Sequence, residues 1–131
     1  MARRPSPTLT EVELEFMGII WASPEATTEE IQRTLARRGR HLTGGSIRKI
    51  LSILMRKRFL SRRPAGNAFV YRATVSPESA RRSLVADLLK RAFGGSAGLM
   101  VAALLDSREA RPKDLQEVKR AIAEREGQVE K

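Results

Sequence analysis

The chain has 131 residues, a formal net charge of +10, a hydrophobic share of 41% and 5% aromatic residues. That composition suits one small domain plus an appendage around a mainly aliphatic core. With no cysteine and a single histidine, His41, disulfides, thiolate metal ligands and thiol redox sensing are excluded, and no metal or cofactor is expected.

No apolar run reaches the roughly 18 residues of a membrane span. Met1-Ala2-Arg3-Arg4-Pro5 is not followed by the apolar stretch of a signal peptide. Residues 1–8 are therefore read as a flexible basic tail and the protein as cytoplasmic. The charge is unevenly distributed: residues 1–76 hold 14 basic and 6 acidic groups, and residues 77–131 hold 11 and 9. Between Glu30 and Glu78 there are twelve lysines and arginines and no acid. A cationic stretch of that length is what a phosphate backbone selects for.

Thr10-Glu11-Val12-Glu13 reads as a capping box that opens a helix to about Trp21, with Val12, Phe16, Ile19 and Ile20 inward. Ser23-Pro24 stops it. Thr27-Thr28-Glu29-Glu30 opens a short second helix with Ile31 and Leu35 on its inner face, and Gly39 ends it. A third helix starts between Thr43 and Ser46. Ile47, Ile50, Leu51 and Leu54 form its apolar stripe, which leaves Arg48, Lys49, Ser52 and Arg56 outward. Arg48, Ser52 and Arg56 follow one another at i, i+4 and i+8 along one edge, a pattern of short polar and long basic groups suited to the major groove.

Leu60–Arg63 and Phe69–Arg72 flank Pro64-Ala65-Gly66-Asn67, which predicts a β-hairpin. A basic hairpin behind a reading helix has the layout of a wing, whose Arg62, Arg63 and Arg72 would hold phosphates. Ser76-Pro77-Glu78 is a strong helix start. Leu84, Val85, Leu88, Leu89, Ala92 and Phe93 then cover too wide an arc for one small domain to bury. The stretch Leu99–Leu105 is apolar on nearly every face, and Leu115, Val118 and Ile122 mark a last helix. Such helices make a poor independent core, since small bodies bury too little of their surface. Pairing with a second copy through Leu84, Leu88, Phe93, Leu99, Val101 and Leu105 would bury them.

The fold class expected is mainly α with a small β-hairpin. Residues 9–76 are read as a winged helix-turn-helix domain, 77–124 as a helical dimerisation domain and 125–131 as a disordered tail.

Leu9–Trp21, Ala26–Ile31, Leu51–Lys57, Gly66–Arg72 and Val75–Glu78 together resemble the BlaI/MecI/CopY family of bacterial repressors, the penicillinase repressor family. Order and spacing agree over about residues 9–105. The resemblance implies a winged-helix DNA-binding domain, a helical dimerisation domain, and binding to an inverted-repeat operator that blocks transcription. Departures are local. Gly45-Ser46, behind Gly44, stand where the family commonly has a threonine pair, and Arg58 stands where a glycine usually follows the lysine before the wing. Copper-responsive members use C-terminal cysteines, and this chain has none. β-Lactam-responsive members are cut at an Asn-Phe bond, whereas the one asparagine here is Asn67, in the wing. The sequence thus assigns neither an inducer nor an inactivating protease.

The function expected is a homodimeric, sequence-specific transcriptional repressor bound to double-stranded DNA. Thr43, Ser46, Arg48, Lys49, Ser52, Arg56, Arg62, Arg63, Asn67 and Arg72 are its candidate DNA contacts, with Arg48 and Arg56 nearest the bases. The alternative is an architectural DNA- or RNA-binding protein using the same surface without reading sequence. No cluster of His, Cys or paired carboxylates lies at catalytic spacing, so an enzyme is not expected.

Overall fold

The computed structural model of the chain describes residues 8–129. In order the elements are α1 (Glu11–Trp21), β1 (Ala26–Thr27), α2 (Thr28–Arg37), α3 (Gly44–Arg56), β2 (Leu60–Ala65), β3 (Ala68–Ala73), α4 (Pro77–Phe93), α5 (Ala97–Asp106) and α6 (Pro112–Val129). The chain divides into two compact units, one ending at Val85 and one beginning at Ala86.

Local chemistry sets the helix boundaries of the first unit. Thr10 Oγ1 accepts from the Glu13 N–H at 3.2 Å while Glu13 Oε1 accepts from the Thr10 N–H at 3.0 Å, the reciprocal pairing of a capping box. Thr27 and Thr43 cap α2 and α3 by accepting from the Glu30 and Ser46 N–H groups. α2 and α3 then end alike. Gly39, at φ +88°, donates to Ala36 O while Arg40 donates to Leu35 O; Arg58, at φ +69°, donates to Met55 O while Phe59 donates to Leu54 O. Both are Schellman closures, which place one residue in the left-handed region. Arg58 is the sole residue other than glycine with positive φ among the described residues.

Packing follows the apolar period. Phe16, Met17, Ile20, Ile31, Leu35, Ile47, Leu51 and Leu54 are fully buried, joined by Phe59, Leu60 and Tyr71 from the wing side. Each such side chain contributes about 1.5–3 kcal/mol relative to exposure. Val12 and Ile50, expected inside, are half-buried at the margin of this core, and Met17 takes a central place. The Trp21 indole N–H donates to Val75 O at 2.9 Å, tying the end of α1 to the residues that lead into α4.

The sheet is antiparallel, in the order β1-β3-β2. β1 was not foreseen: two residues carry no alternation, and Ala26 and Thr27 become a strand only by pairing with Tyr71 and Val70. The hairpin strands are longer than expected, and Ala65 pairs with Ala68 so that Gly66-Asn67 alone makes the turn. Gly66 at φ +63° supplies the positive φ that such two-residue turns require at their first position. Pro64, lacking an N–H, is tolerated because β2 is an edge strand.

The boundary between units falls inside α4, later than the expected 76/77. Ala80 is buried and Leu84 half-buried against the first core, so the opening turns of α4 complete that unit. In the second unit no described residue is fully buried, and Leu88, Leu99, Val101, Leu104, Leu105, Leu115 and Ile122 are all exposed. α6 continues to Val129, so that it enters the stretch 125–131 read from the sequence as a tail. Ala123, Glu124, Arg125 and Glu126 extend the helix by propensity after the apolar period has ended. Residues 130–131, and the expected N-terminal tail apart from Thr8, lie outside the described residues.

Candidate nucleic-acid interface

α3 presents two chemically opposite sides. Ile47, Leu51 and Leu54 face the core, while Arg48, Lys49, Ser52 and Arg56 are exposed. The expected contact face is therefore solvent-facing along its whole length. Thr43 and Ser46 sit at its N-terminal end and are exposed, but they also serve the cap: the Thr43 hydroxyl donates to Ser46 Oγ at 3.0 Å. Asn67 lies at the tip of the wing, exposed.

Between the N-terminal end of α3 and the wing runs a groove of about 520 Å³. Arg48 and Gly44 line it from α3, and Arg62, Asn67 and Phe69 from the wing. The Arg48 guanidinium lies back over the first turn of α3. A Cβ on Gly44 would stand 3.2 Å from Arg48 Nη1, so the absent side chain leaves the room that this arginine occupies. Thr28, Glu29 and Gln32, from the N-terminal part of α2, complete the wall. The sequence offered no signal for these three, since only the packing of α2 across α3 brings them there.

The structure separates cations that face solvent freely from cations held by acids. Lys57 Nζ donates to Glu13 Oε1 at 2.6 Å and to Thr8 O at 3.0 Å, with side-chain exposure of 4%. Arg40 Nε donates to Glu15 Oε2 at 2.8 Å. Arg63, a candidate phosphate contact, grips Glu25 with Nε at 3.1 Å and Nη2 at 2.7 Å. Arg72 Nε donates to Ser61 Oγ at 3.1 Å, and among the described residues no carboxylate pairs with it. Arg62 stacks on the Phe69 ring, with Cζ 3.9 Å from the centroid. Glu25 and Phe69 are partners of the candidate arginines that the sequence reading did not single out. The signal available for Phe69 was an aromatic in a hairpin otherwise rich in arginine; for Glu25 there was none.

Among the described residues no group of three or more His, Cys, Asp or Glu side chains gathers as a metal site would require. No single helix there is long and apolar enough to cross a membrane.

Three capped helices, a small antiparallel sheet and a cationic third helix flanked by a basic hairpin define a winged-helix DNA-binding protein. The chain matches the family model of the penicillinase repressor over residues 9–124, and it belongs to that family. It is accordingly a DNA-binding transcriptional repressor and not an enzyme.

Among solved structures, the DNA-binding domain of the repressor BlaI is 25% identical, covering 57% of this chain and 90% of its own, with a TM-score of 0.49. The monomeric form of Bacillus licheniformis BlaI in complex with the blaP half-operator is 26% identical, covering 60% and 92%, with a TM-score of 0.47. RosR of H. salinarum is 15% identical, covering 91% and 94%, with a TM-score of 0.52, which is a likeness of fold alone. A comparison with curated proteins gives no match.

Proposed function

We propose that the protein represses transcription as a homodimer that reads an inverted-repeat operator. The observation that carries the DNA reading is the exposed row Arg48, Ser52 and Arg56 on a helix whose other side is wholly committed to the core. Inserted into a major groove, that row meets base edges, and an arginine can grip guanine O6 and N7 with two hydrogen bonds. Lys49, Arg62 and Arg72 then lie against backbone phosphates, which position the protein without reading sequence.

The dimer reading is supported by the second unit, whose apolar side chains have no core of their own. Leu99 is 62% exposed, Leu104 52% and Leu88 48%, more apolar surface than small monomers ordinarily leave in water. A second copy of the chain would cover it. Two-fold symmetry then requires half-sites separated by about one helical turn, ~34–36 Å, or a multiple of it. A cytoplasmic location follows from this role.

The testing experiment is selection of bound sequences from a random duplex pool at two salt concentrations, for the wild type and for Arg48→Ala. An inverted repeat should emerge and lose definition at particular bases in the variant. Enrichment of no sequence, with affinity falling only as salt rises, would instead establish an architectural protein.

A further inference from the structure

We propose that Phe69 is a positioning residue for DNA recognition: its ring holds the Arg62 guanidinium at the groove, which makes Arg62, rather than Arg63, the arginine of β2 that engages the duplex. The inference rests on the DNA reading above and deepens it by dividing roles between two adjacent arginines.

Arg62 lies opposite Tyr71, and Phe69 opposite Pro64. Because side chains alternate along a strand, positions 62 and 64 share a face, and Arg62 therefore meets Phe69 on the diagonal. Phe69 is 40% exposed, on a two-stranded ribbon whose outer part has no core for it to enter. Its contact is instead the Arg62 guanidinium, whose Cζ lies over the ring 3.9 Å from the centroid. A guanidinium held over a ring by cation–π attraction still has N–H donors to offer an anion, and those of Arg62 meet no acceptor among the described residues. Among the described residues no carboxylate pairs with Arg62.

Arg63 is the reverse case. Both of its contacting nitrogens are already directed at Glu25, so engaging a phosphate means giving up an existing pair. Arg62 and Phe69 also line the same groove as Arg48, which puts the stacked guanidinium on the wall facing the reading helix. An arginine already held in one orientation loses less rotamer freedom when it closes on an anion.

The test uses the full chain with two probes, a duplex enriched from the random pool and a random-sequence duplex, titrated across salt concentrations. Phe69→Leu keeps apolar bulk and removes the ring. It should weaken binding to both duplexes about two- to fivefold, the size of an exposed cation–π contact, and leave the salt slope unchanged. Phe69→Trp should restore affinity. Arg62→Ala should flatten the log–log salt slope by about 0.9, one phosphate contact, and Phe69→Leu added to Arg62→Ala should change nothing more. Wild-type affinity in Phe69→Leu, a loss that is the same with and without Arg62, or a failure of Trp to rescue would overturn the assignment. If Phe69→Leu lowers the melting temperature, comparison of the rescue variant with the double variant still decides it. A wild-type chain that binds neither duplex defeats the DNA reading itself, an outcome distinct from all of these.

Discussion

Lys57, the residue that closes α3, is locked to Glu13, the third residue of α1, through a 2.6 Å contact between side chains only 4% and 8% exposed. The same carboxylate oxygen accepts from the Thr10 N–H, and the ammonium also reaches Thr8 O. One buried pair thus joins the capping of α1 to the end of α3. A cation that sequence alone counts toward the DNA-binding charge is here part of the core.

Replacing Lys57 by methionine should therefore act on stability and not on recognition. Removing one partner of a buried pair leaves the other charge uncompensated, at a cost of about 3 kcal/mol. Urea unfolding should show that loss, while affinity per folded molecule stays near the wild-type value. Adding Glu13→Gln should recover part of the stability, because the charge left behind is then gone.

Arg58 and Gly39 occupy equivalent positions in two Schellman closures, at φ +69° and +88°. Holding a side chain in that region costs about 1 kcal/mol or somewhat more. Arg58→Gly should raise stability by about 1 kcal/mol and the melting temperature by a few degrees. Gly39→Ala should lower stability by a similar amount. A Cβ there meets nothing within 4 Å, so the backbone alone carries that effect.

Glu25 neutralises Arg63 in the free protein. Glu25→Gln should release the guanidinium, raise affinity for all duplexes and steepen the salt slope by about 0.9. Fluorescence anisotropy across a salt series reads both. An unchanged slope would mean that Arg63 does not reach a phosphate even when free.

Leu99 and Leu88 test the dimer. An aspartate at either position places a charge where the proposed seam excludes water, which an unpaired carboxylate tolerates poorly. Sedimentation should show a dimer for the wild type and monomer for Leu99→Asp, with weakened binding to the full inverted repeat. A wild-type chain that sediments as a monomer at micromolar concentration defeats the proposal.

Whatever depends on neighbouring residues was legible in the sequence. Thr10, Thr27 and Thr43 cap their helices because a hydroxyl three residues before an N–H needs no distant partner. Gly39 and Gly66 mark a helix end and a turn through their own conformational freedom. The apolar period of α3 showed which side faces outward, and the run of cations indicated the class of partner. Tertiary structure decided which cations remain available. Glu13, Glu15 and Glu25 reach Lys57, Arg40 and Arg63 across 44, 25 and 38 residues of sequence, and no local pattern encodes such pairings. The same holds for β1, a two-residue strand that exists only where β3 offers its edge, and for the stacking of Arg62 on Phe69. Helix caps and periods are set within a few residues of chain, whereas ion pairs and strand edges form only once packing brings remote segments within a few ångströms.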